Sequence, residues 1–396
     1  MKKIQNPKQF VKDCSSTRQR PSFNVQLPLF FPDIKFLNKE FYYLNSMKHF
    51  KFYSKKDILS LTKVRRFETR IGERLQFIAD GSDWPQVLTH SPAKYVLIGI
   101  PEDIGVKANH GIGGADTNWL PFLHDFLNTQ SNDFLTGENV LLLGHFDFGD
   151  MKYLIENNAY NPEELIDAYR HAVKLIDEEV EDMMKIVASS KKIPIVIGGG
   201  HNNSYPIIKG VSKGLHKADL IPLAQINCIN LDAHSDYKSM EGRHSGNAFR
   251  YAEADGYMGK YSIIGLHENF VPQNVLTDIH ANPFIQYSSF EDIFIHEKKN
   301  FIQAVAHATG FTEDTYTGIE LDVDSIEDAL SSAYTPCGIS SLQARQYINF
   351  ASTDAKVAYL HICEGASQLT DGTKDEKIGR LISYLVCDFI KANSAP

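Results

Sequence analysis

The chain has 396 residues, 43% of them hydrophobic and 22% charged, with a formal net charge of -9. That length supports one large α/β core or two domains, and so ordinary a balance excludes a disordered chain and a protein that holds nucleic acid by bulk positive charge. The five cysteines, Cys14, Cys228, Cys337, Cys363 and Cys387, are widely spaced without a C-x-x-C pair, which excludes a disulfide framework and a structural zinc site and fits a reducing cytoplasm.

The N-terminus, MKKIQNPKQFVKDCSSTRQR, is basic but has no apolar stretch behind it, and no apolar run in the chain reaches spanning length. Neither a signal peptide nor a membrane partner is expected. Residues 1–90 carry 17 Lys and Arg against 8 Asp and Glu, a balance of +9 that leaves -18 for the rest. This aromatic-rich segment (FYYLNSMKHFKFY) is expected to form a partly helical extension packed on the core. Its charge reads as a solvated face or, alternatively, as a docking surface in a homo-oligomer.

From residue 94 the pattern becomes regular. Eight short runs, KYVLIGI, NVLLLG, IPIVIGG, QINCINLD, YSIIGL, PFIQYS, YTGIELDVD and VAYLHIC, are apolar without alternation, as strands covered on both faces are. Longer amphipathic segments separate several of them. The clearest is NPEELIDAYRHAVKLIDEEVEDMMKIVASS, opened by an Asn-Pro cap signal. Alternation of this kind predicts parallel strands joined by crossover helices, with residues 91–396 as the main domain.

In such a sheet, ligands bind beyond the carboxyl ends of the strands. Three strand ends are densely polar. IPIVIGGGHNNSYPIIKG runs through Gly198, Gly199 and Gly200 into His201; it lacks the spacing of a phosphate loop, and a lone His there is a weak signal. NLDAHSDYKSMEGRHSGN supplies Asp232, His234 and Asp236, which share one face if strand geometry persists past Leu231. YTGIELDVDSIEDA places Asp322 and Asp324 at the same spacing. Such crowding is costly without a cation. The set comprises two His and four Asp: one cation would leave donors over, whereas two sharing carboxylates would use them all. The dominance of hard oxygen donors favours manganese, with zinc, nickel, cobalt and iron still open. Paired metals acidify a shared water, so the expected reaction class is metal-assisted hydrolysis.

GGGH at 198–201, DAHSD at 232–236 and LDVD at 321–324, in that order, resemble the three metal motifs of the ureohydrolases, which include arginase, agmatinase and formimidoylglutamase. The resemblance spans roughly residues 94 to 390, including GIPEDIGVKANHGIGGAD and DFGD at 147–150. It implies a three-layer α-β-α fold with an eight-stranded parallel sheet and a centre of two Mn2+. By position, His201, Asp232, Asp236 and Asp322 would hold one ion, and Asp232, His234, Asp322 and Asp324 the other. Glu364 would hold the planar C–N cation of the substrate, Ser245 and Asn247 its amino-acid end, and His244 would shuttle a proton to the leaving amine.

There are departures as well. Gly200 and Asn202 stand where arginases carry Asp and Ser, and Glu320 replaces the Ser or Thr that usually opens the third motif. Glu320 lies on the face of Asp322 and Asp324, where it could support a ligand or alter metal preference. The resemblance implies a small amino-acid-derived substrate, with N-formimidoyl-L-glutamate of histidine breakdown preferred, then arginine, then agmatine. The contrasting readings are a non-catalytic metal-binding relative, against which the complete ligand set argues, and a two-metal phosphoesterase, whose additional Asn/His ligands and basic phosphate clamps are missing.

Overall fold

The structure is a computed structural model and describes residues 47–79, 81–354 and 356–394. All eight runs read from the sequence are strands: β2 (Tyr95–Gly99), β3 (Val140–Phe146), β4 (Ile193–Ile197), β5 (Ile226–Leu231), β6 (Met258–Leu266), β7 (Ile285–Ser289), β8 (Thr317–Asp322) and β9 (Val357–Cys363). They pair in parallel in the order β3-β2-β4-β9-β8-β5-β6-β7. The sheet has nine strands rather than the expected eight, because β1 (Phe50–Phe52) adds an antiparallel edge on β3. Three residues are too few for a sequence pattern; Phe50 is held there by an edge contact with Phe146, ring centroids 4.9 Å apart.

This strand comes from the segment expected as an N-terminal extension, residues 1–90. Residues 1–46 of the expected N-terminal extension lie outside the described residues. Residues 47–90 supply β1 and two short helices, Lys55–Leu61 and Trp84–His90, and belong to the same compact unit as everything after them. No division falls at 90/91.

Helices cover both sheet faces. Ile195, Ile197, Ile229, Leu231, Ile319, Leu321, Leu360 and Ile362 join the helices Trp119–Leu127, Phe301–Thr312, Ser341–Ala351 and Ile378–Asn393 in one apolar core. Strand periodicity turns the alternate residues, such as Val196, Cys228 and Glu320, to the opposite face. There lies the helix Pro162–Ser189, whose start is capped by Asn161 accepting from the Glu164 amide. It packs closely on the helix Ser204–Lys217: a Cβ at Gly210 would come within 2.4 Å of the Glu181 carbonyl oxygen. Among the described residues no helix is long and apolar enough to cross a membrane.

Candidate metal centre

Four adjacent strands, β4, β9, β8 and β5, end at the site. After β4 the chain turns sharply through Gly198 and Gly199, with φ of 93° and 77°. A side chain at Gly199 would meet Asn203 Nδ2 at 2.5 Å and the Ile100 carbonyl at 2.6 Å, so glycine is required on both counts. The turn places His201 at the start of a short helix, with its backbone N–H donating to Glu364 Oε1 at 2.8 Å.

His201 is fully buried. Its Nδ1 faces Asp236 Oδ2 at 2.8 Å, Asp322 Oδ2 at 3.1 Å and Asp232 Oδ2 at 3.4 Å. On the outer side, His234 Nδ1 lies 2.8 Å from Asp324 Oδ2 and 3.7 Å from Asp232 Oδ1. Among the described residues, donor atoms within 4.8 Å of one another gather in three groups: His201 with Asp232, Asp236 and Asp322; His234 with Asp232 and Asp324; and, behind the carboxylates, His201 with His361 and Cys363. Asp232 belongs to both carboxylate-rich groups. Asp322, expected to be shared, belongs to the first group; its Oδ1 instead accepts from the Asp324 amide at 2.8 Å.

One geometric expectation is corrected. Asp232, His234 and Asp236 do not share a strand face, because β5 ends at Leu231 and Asp236 has φ of 44°. The segment turns instead, and Asp232 Oδ1 accepts from the His234 amide at 2.6 Å. The turn sends Asp236 to one donor group and His234 to the other, so two-residue spacing yields two half-sites. Asp324 likewise follows β8 in a short helical turn rather than continuing the strand.

The donor set fits divalent cations. Buried atoms without a hydrogen-bond partner include His201 Nδ1 and Asp324 Oδ1, both within the cluster. Its electrostatics demand positive charge. Burial and the neighbouring Asp236 push Asp232 up to about 6, and burial with Asp324 and Asp232 pushes Asp322 well above the usual carboxylate range. Burial opposes charging His234, yet Asp324 and Asp232 outweigh it and hold the ring at about 10. Hard oxygen donors with a minority of imidazole suit manganese-type ions.

Glu364 closes the inner wall at the end of β9, at φ of 61°. Its Oε2 accepts from Ser332 Oγ at 2.5 Å, and burial pushes its carboxyl up to about 8, helped by Asp324 and Asp236. The expected substrate loop divides. Ser245 hydrogen-bonds Asn109 Nδ2 at 3.3 Å, and Lys238 Nζ donates to Asn109 Oδ1 at 3.1 Å, making a polar cluster at the loop. Asn247, in contrast, is fully buried and saturated: it accepts from Arg243 and the His244 amide and donates to the Ser239 and Gly242 carbonyls. It organises the loop and has nothing left for a substrate.

His244 is likewise fully buried. Burial pushes its imidazole down to about 3, reinforced by Lys238, Arg170 and Arg243. Its Nδ1 accepts from the Gly246 amide at 3.1 Å, capping the Ser245–Asn247 turn.

Sequence reading missed two supports. Glu102 Oε1 accepts from the Gly200 amide and from the side-chain amides of Asn202 and Asn203, at 3.1, 3.1 and 2.6 Å, bracing the loop where this chain lacks the arginase-type Asp and Ser. Arg243 pairs with Asp177, donates to the Asn202 carbonyl at 2.7 Å, and stacks between Tyr205 and Tyr251. The GIPEDIG stretch hinted at the first; no sequence signal marks the second.

Comparison with known proteins agrees with this geometry. The sequence model of the Arginase family matches residues 93–388. A formimidoylglutamase of Streptococcus pyogenes is 24% identical over 256 residues, 63% of this chain and 68% of that protein. A Trypanosoma cruzi formiminoglutamase solved with Mn2+ superposes with a TM-score of 0.62 at 20% identity, covering 83% of this chain and 100% of that one. The formimidoylglutamase of Bacillus subtilis gives 0.62 at 17% identity, over 83% and 93% of the two chains.

Proposed function

Because the chain belongs to the arginase family, we propose that it is a two-manganese hydrolase that cleaves N-formimidoyl-L-glutamate to L-glutamate and formamide. The convergence of His201, Asp232, Asp236 and Asp322 beside His234 and Asp324 carries the reading. The formimidoylglutamases among its relatives support the substrate. His201, Asp232, Asp236 and Asp322 would hold one ion and His234, Asp232 and Asp324 the other. Two Mn2+ bound there would supply an acidified water as nucleophile near neutral pH.

The protein's own groups bind and orient the substrate. Glu364, fixed by Ser332 and the His201 amide, presents a carboxylate to the planar amidinium; arrival of that cation favours the ionised form. Lys238, Asn109 and Ser245 form a cationic and hydroxylic cluster suited to the carboxylates of the glutamate portion. His234, with its side chain 30% exposed, stands on the open side. The four free cysteines of the described residues support a cytoplasmic location.

The test is product identification. Manganese-loaded protein given N-formimidoyl-L-glutamate is expected to release glutamate and formamide in equal amounts. Asp232→Asn, which removes the carboxylate common to both donor groups, is expected to lower kcat by about 1000-fold or more, several kcal/mol of transition-state stabilisation. Full activity in that variant would contradict the two-ion reading.

A further inference from the structure

Beneath His201, on the side away from the three aspartates, lies Glu320, fully buried on β8. Its Oε1 accepts from Tyr359 OH at 2.6 Å, and its Oε2 accepts from Ser204 Oγ at 3.0 Å and sits 2.7 Å from His361 Nδ1. β8 and β9 pair so that His361 lies directly beside Glu320. Three donors from two elements thus fix one carboxylate, and Oε2 is 3.6 Å from His201 Nε2.

A charged group buried this completely is costly unless it has work to do. The His201 ring is confined by its backbone bond to Glu364 and by the edge-on ring of Phe249, centroids 5.2 Å apart. Its Nδ1 points into the donor cluster. If Nδ1 binds a metal, the ring proton must sit on Nε2, and a buried N–H needs an acceptor. That Nε2 has no hydrogen-bond partner otherwise.

We propose that Glu320 is the positioning residue of this centre: it receives the Nε2–H of His201, fixes the tautomer that ligates through Nδ1, and strengthens that imidazole as a donor. A carboxylate behind a metal-bound His does both. Ser204, Tyr359 and His361 hold the carboxylate in place, and the small hydroxyl side chain usual at this position of the third motif could not supply the charge. The proposal rests on the metal-binding half of the function above and is independent of the substrate.

The test uses metal affinity. Metal-free full-length protein is titrated with Mn2+ while the EPR signal of the free ion reports each dissociation constant. E320Q keeps the volume and removes the charge; it is expected to weaken one of the two sites by about 10- to 100-fold and leave the other within a few-fold. Unchanged affinity at both sites overturns the proposal. Should E320Q fail to fold, Tyr359→Phe and Ser204→Ala each release one restraint on the carboxylate, and both are expected to weaken the same site several-fold; affinities equal to wild type in both variants overturn it equally. Wild-type protein that binds two Mn2+ but leaves N-formimidoyl-L-glutamate intact would refute the substrate and leave this assignment standing.

Discussion

Asp236 and Glu364 both adopt positive φ, a conformation costing non-glycine residues about 1–3 kcal/mol when the surroundings impose it. Both face the donor cluster, so the strain sits where orientation matters most. The D-x-H-x-D pattern made the ligand types legible in sequence, but the turn that divides them was not, because left-handed backbone at an Asp leaves no composition signal. Protons and metal compete for these groups. His234 is held at about 10 and Asp232 at about 6, so near neutrality His234 holds a proton that a metal must displace. Manganese affinity is therefore expected to rise from about pH 6 to about pH 8, with proton release on binding; calorimetry in buffers of different ionisation enthalpy measures both, and a pH-independent affinity would contradict the account. Lys238→Met removes the cation beside Asn109. It is expected to raise KM about tenfold or more with kcat little changed, the signature of lost ground-state binding; an unaltered KM would detach Lys238 from the substrate.

Secondary structure was readable wherever several consecutive residues shared one environment. The eight parallel strands and the helix Pro162–Ser189 announced themselves through buried apolar runs and helical spacing. Contacts between elements were not readable. Glu102 reaches Gly200 across 98 residues of sequence and Arg243 reaches Asp177 across 66, and single polar residues that far apart carry no period. Arg243 joins the helix Pro162–Ser189, the loop after His201 and the Ser245–Asn247 turn. Arg243→Met leaves Asp177 buried and unpaired. It is expected to cost about 3–5 kcal/mol of stability, seen as a lowered midpoint in denaturant; a loss below about 1 kcal/mol, the range of exposed pairs, would show that the clasp is dispensable.

The whole molecule places its donors at the ends of four neighbouring strands because β8 and β9 return to the middle of the sheet between β4 and β5. Sequence order alone puts β4 next to β5; the insertion brings Asp322, Asp324 and Glu364 up to His201 and Asp232. Resemblance to the ureohydrolases made that convergence legible before any geometry, while the edge strand β1 was too short to be read. The substrate is decided by few residues around a donor set common to several chemistries. The most direct measurement is therefore kcat/KM of the manganese-loaded protein for N-formimidoyl-L-glutamate, arginine, agmatine and guanidinobutyrate, assayed in parallel. Highest turnover of N-formimidoyl-L-glutamate is the expected result; turnover of arginine alone, or of none of the four, would contradict the account.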